Sequence, residues 1–120
     1  MSGLALFAGW RTQPLPDDAE GRAAFLLHVL RELRGSVHLV AVLATGVGVR
    51  DAVLSHGGEA QAKQFGWPGP YPAVGSELPA AAETLTDTML TTLYSGVVST
   101  DEAGELASLV VALRAHIDAR

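Results

Sequence analysis

Leu26-Leu27-His28-Val29-Leu30-Arg31-Glu32-Leu33-Arg34-Gly35-Ser36-Val37-His38-Leu39-Val40-Ala41-Val42-Leu43-Ala44 is the stretch that decides the fold. Leu26, Val29, Leu30, Leu33, Val37, Val40, Ala41 and Ala44 recur at steps of one, three and four, which lines them along one side of a helix. The series keeps phase across Gly35-Ser36, so a single helix over about 18–45 is expected, capped by Asp17 or Asp18. Gly35 is its weak point, because glycine loses the most backbone freedom on folding. The β-branched run Ser36–Leu43 competes as a buried strand. Helix is preferred, since the stripe holds on both sides of the glycine and no partner strand is evident.

Working outward, Pro14 and Pro16 set residues 1–16 apart as an irregular N-terminal arm, with a single helical domain over 17–120. Thr45-Gly46-Val47-Gly48 ends the long helix. Val49–His56 reads as a short helix closed by Gly57-Gly58, and Glu59–Phe65 as one or two further turns. Gly66-Trp67-Pro68-Gly69-Pro70-Tyr71-Pro72 cannot be regular helix and suits an extended segment that lays its rings on a neighbour. A helix follows from about Leu78 to Tyr94. Ser99 and Glu102 then form a capping box for a last helix with the stripe Leu106, Leu109, Val110, Leu113 and Ile117. This stripe is expected to be core or interface. The sum is an all-α bundle of four to five helices with an irregular Pro/Gly/aromatic loop between helix pairs.

The chain has 120 residues, enough for one domain without metal or disulfide support. It has no cysteine, which excludes thiol chemistry and zinc–thiolate sites. Eight basic residues against thirteen acidic ones give a net charge of -5, which argues against nucleic acid as a partner. The opening residues lack the basic start of a signal peptide, and no apolar run approaches a membrane span. A cytoplasmic protein with no membrane partner is expected.

Few residues suggest chemistry. His28 and Glu32, four apart, share a helix face and could form half a metal site or an acid–base pair. No second pair at ligand spacing accompanies them: His56 stands alone, and Glu83 and Asp87 lack a histidine. No phosphate-binding glycine loop or serine elbow is present. No catalytic residue, metal or cofactor is therefore assigned, and the reading leans away from an enzyme. His38 sits in the most apolar stretch, where a histidine is packed into the core or touches a ligand. Trp67–Pro72 is either a rigid connector or the wall of a pocket.

Val40–Thr45, the turn Gly46-Val47-Gly48 and Val49–His56 have the rhythm of a helix-turn-helix. The recognition candidate, Gly58–Phe65, offers Gln61, Lys63 and Gln64 opposed by Glu59, and no basic wing follows. The final two helices resemble, in pattern, the C-terminal dimerisation helices of MarR-type regulators, and no function is carried over from that likeness.

Three readings follow. The leading one is a non-catalytic interaction or regulatory protein that pairs with itself as a homodimer. A hydrophobic content of 48% with few charges to cover it motivates this reading. The second is a small-ligand-binding protein or minor enzyme with a pocket near His38, Trp67 and Tyr71 and with His28 or an arginine as polar anchor. The third is a degenerate helix-turn-helix transcriptional regulator, whose mark would be a basic stripe along Gln61–Gln64.

Overall fold

The structure, a computed structural model, describes residues 4–119. Residues 1–3 of the expected arm and Arg120 lie outside them. The elements are α1 (Ala5–Trp10), α2 (Ala19–Ala44), α3 (Val49–Gln64), α4 (Glu77–Ser95) and α5 (Thr100–Asp118). The fold is all-α, and no strand occurs among the described residues. Residues 36–43 are therefore helix, and α2 runs as one 26-residue helix across Gly35. Asp18 caps it by accepting a hydrogen bond from the Gly21 amide at 2.6 Å.

The arm departs from expectation, because Ala5–Trp10 is helical. Pro14 and Pro16 obstruct the turns around themselves and leave the upstream amides free to pair. A helix this short does not persist alone. Trp10 holds it to α2 by edge contacts with Phe25 (ring centroids 6.3 Å apart) and His28 (4.4 Å).

The chain divides within α4 into two compact units, one ending at Thr88 and one beginning at Met89, where the sequence suggests one helical domain. In the first unit α2 turns Val29, Leu33, Val37 and Ala41 inward, a row of successive i+4 positions. Val42, Val47 and Ala82 form a buried cluster with Ala52 packed on it, which joins α2, the following turn, α3 and the start of α4. Leu54 and Ala62 carry the core along α3.

In the second unit Leu90 is buried, and α5 begins at the expected capping box. Glu102 Oε2 accepts from the Ser99 amide at 2.8 Å, and the Ser99 hydroxyl accepts from the Glu102 amide. These Ser99 hydrogen bonds hold the Glu102 carboxyl below its ordinary range. No residue of α5 is buried. Leu106, Leu109, Val110, Leu113 and Ile117 are each exposed, Leu109 by 60%. No helix among the described residues is long and apolar enough to cross a membrane.

Candidate nucleic-acid interface and the neighbouring cavity

Residues 45–71 are built from two breaks in the helical backbone. The first is the turn after α2, where Gly46 adopts positive φ and the Val47 amide bonds back to the Val42 carbonyl at 3.1 Å. The second lies inside α3. Gly58 has φ 61° and ψ -160°, a conformation open in practice only to glycine, and it splits α3 into two helical halves. The sequence reading of two short helices closed by Gly57-Gly58 matches this break.

The second half presents Glu59, Ala60, Lys63 and Gln64 to solvent, while Ala62 anchors it in the core. Gln61 is half-buried and folds its side chain over Gly57, where a Cβ would collide with it. Lys63 pairs with Glu59 one turn earlier, and the hydrogen bond and charge of Glu59 raise the lysine above its ordinary range. A basic stripe along Gln61–Gln64 is thus absent, because the single cation there is already engaged.

The loop after α3 is clamped to it. The Arg50 guanidinium donates to the carbonyls of Pro68 and Pro70, both at 2.8 Å. The Tyr71 hydroxyl donates to the Trp67 carbonyl at 2.7 Å, and the Trp67 ring lies 5.4 Å from that of Phe65. Trp67 and Tyr71 therefore help to fix the loop beside the second half of α3, with Lys63 over the Tyr71 ring at 5.8 Å.

His38 lies elsewhere. Thr86, fully buried on α4, donates its only hydroxyl hydrogen to the Ala82 carbonyl at 2.7 Å. Its contact with His38 Nδ1 at 2.9 Å must then be one in which the imidazole N–H donates. That fixes the ring and turns Nε2 towards Glu83 Oε1, 3.8 Å away. The other Glu83 oxygen accepts from Arg34 at 2.7 Å. A cavity of about 260 Å3 opens beside this network, lined by His38, His56, Ser55 and Glu83 over Val42 and Ala52.

The structure does not bring the four sequence-selected ligand residues together. Trp67 and Tyr71 are absent from the lining of the cavity at His38. His28 packs under Trp10, with Nε2 3.9 Å from Glu32 and no hydrogen-bond partner. Sequence reasoning did not join Arg34, Glu83 and Thr86 to His38. The pairs lie some fifty positions apart, and no spacing rule reaches across helices. Among the described residues no group of three or more potential metal ligands forms.

The model of a helix-turn-helix family matches residues 1–71, which span α1 to α3 and the clamped loop. The chain belongs to this helix-turn-helix family. Among curated proteins and among solved structures nothing matches. Membership overturns the expectation, drawn from the net charge of -5, that argued against nucleic acid as a partner. Charge is not spread evenly along the chain. Residues 1–71 carry six basic and six acidic side chains, and the entire acidic excess lies in residues 72–120, with two basic against seven acidic. The family segment is electrically balanced, and whole-chain repulsion does not describe its surface.

Proposed function

We propose that the chain is a sequence-reading helix-turn-helix regulator of duplex DNA, in which the second half of α3 enters the major groove. The single observation that carries this reading is the family match over residues 1–71, the part of the chain that contains both helix breaks and no net charge. The exposed polar side chains after Gly58 support it in detail. Gln64 is an amide of the kind that reads adenine edges, and Lys63 leaves Glu59 for a phosphate at low cost, since both are exposed. With a single cation on this half-helix, and that one paired with Glu59, affinity rests more on base contacts than on counterion release.

Selection from random duplexes, followed by fluorescence anisotropy at several salt concentrations, tests it. One enriched motif is expected, bound with a shallow salt dependence. Lys63→Ala should weaken all duplexes alike, and Gln64→Ala should relax one position of the motif. No enrichment, together with no duplex binding at low salt, would remove the reading.

A second feature favours self-association of the regulator. The exposed apolar face of α5 has an acidic start (Asp101, Glu102, Glu105) and Arg114 towards its end. Two copies of α5 laid against each other cover both stripes, although Arg114 is already paired with Asp118 of its own helix at 2.6 Å. A dimer of this kind presents two recognition elements, as a palindromic site requires. Sedimentation of the full chain should give twice the chain mass.

A further inference from the structure

We propose that the cleft between α2, α3 and α4 is a binding site for a small amphipathic amine, and that its occupancy regulates the DNA-reading segment; the regulatory half rests on the function proposed above. The site is defined by two hydrogen-bond acceptors that face each other with no donor between them. His38 Nδ1 carries its hydrogen towards Thr86, because Thr86 has spent its own on Ala82. In the neutral ring Nε2 is then a lone pair. Glu83 Oε1 lies 3.8 Å from it, too far for a direct hydrogen bond, and Arg34 holds only the other carboxylate oxygen.

Both acceptors are open to solvent, so a ligand group that replaces water between them must, like water, supply two hydrogens from one atom. A ligand hydroxyl has one and leaves an acceptor unmet. An amino group has two or three, and as an ammonium it also meets the carboxylate charge. The rest of the cleft has an apolar floor beneath a rim that includes Ser55 and His56. Val42, Val47, Ala52 and Ala82 form the floor of a cavity of about 260 Å3. A dry cavity of about 150 Å3 holds a benzene ring, so this one has room for a ring and a short amine-bearing arm.

The route to regulation is the adjoining part of the same cleft. His38, Val42, Ala52 and His56 also line a second cavity of about 340 Å3, which reaches Gln61. Gln61 belongs to the half-helix after Gly58 and lies folded over Gly57. A ligand body extending along the cleft displaces Gln61 and reorients the half-helix about its glycine hinge. Ligand affinity and DNA affinity are then linked reciprocally.

The test uses 2-phenylethylamine, with 2-phenylethanol as the same shape lacking the amine, titrated into the full chain without DNA and followed by the imidazole NMR signals. Saturable shifts of His38 and His56 are expected with the amine, with the alcohol at least about tenfold weaker. Glu83→Gln should abolish that preference. Arg34→Gln, which breaks the same surface ion pair but keeps the carboxylate, should preserve or increase it. Circular dichroism checks that both variants are folded. Equal binding of amine and alcohol, an unchanged preference in Glu83→Gln, or no saturable binding would overturn the site. Amine binding that leaves duplex affinity unchanged would overturn the regulatory half alone. A chain that binds the amine but no duplex would instead overturn the DNA reading.

Discussion

Helices α2 and α5 carry the same kind of sequence and have opposite fates. Both are long, both are capped by a short polar side chain, and both repeat apolar residues at helical spacing. In α2 the Val29, Leu33, Val37 and Ala41 line of that row is core of the first unit, with Val37 1% exposed and Ala41 fully buried, while Leu26 and Val40 stay exposed at 45% and 43%. In α5 every apolar side chain remains open to solvent, and Val111 is 69% exposed. The comparison teaches that a hydrophobic stripe reports a face that will be covered and is silent on what covers it. For α2 the cover is its own chain. For α5 the proposed cover is a second copy.

The sharpest way to break that contrast is a buried charge in each helix. Val37→Asp should cost more than about 4 kcal/mol and unfold the first unit, since no partner waits for the carboxylate. Leu109→Asp should leave helical circular dichroism near the wild-type value and halve the sedimenting mass. Unfolding by Leu109→Asp, or an unchanged mass, would show that α5 is not the dimer contact.

A smaller effect is expected at the glycines. Gly58 holds positive φ, so Gly58→Ala should destabilise by about 1–3 kcal/mol in chemical denaturation and weaken duplex binding by moving the recognition half of α3. Gly35 is the opposite case. It sits in regular helix, and a Cβ there meets nothing within 4 Å. Gly35→Ala should therefore raise stability by about 0.4–1 kcal/mol. A loss there would mean that α2 bends at Gly35 in solution.

The smallest effect concerns the α5 cap. Glu102 titrates below its unfolded value because Ser99 hydrogen bonds favour the carboxylate. Its contribution is thus present above the ordinary carboxylate range and is lost as pH falls through the depressed folded value. Helical signal from α5 should fade in that acidic window, and Glu102→Gln should flatten the fade while keeping a side chain that can close the capping box. A fade that persists in Glu102→Gln would place its origin in other carboxylates.

Much of the fold is legible in the sequence because it is local. The phase of the α2 stripe, the Asp18 and Ser99 caps and the Gly57-Gly58 break all depend on residues within about one helical turn of each other. The arm is the exception, since α1 is held by Trp10 against Phe25 and His28, contacts that no neighbour in sequence announces. The candidate sites are less legible for the same reason. His38 stands out in the sequence, but Thr86 and Glu83, which fix its ring and face its free nitrogen, come from another helix. Trp67 and Tyr71 stand out too, yet Arg50 ties their loop beside α3 and away from the cavity at His38.

The sequence by itself determined that the chain is helical, where the helices after the arm start and break, and that residues 1–71 carry no net charge while residues 72–120 hold the acidic excess. These follow from backbone propensity, side-chain period and counting, which need no partner in space. Only the tertiary structure decided which stripes are covered and which acceptors face one another across the cleft. Those depend on how separate helices pack, and packing is set by the joint shape of many side chains distant in the chain.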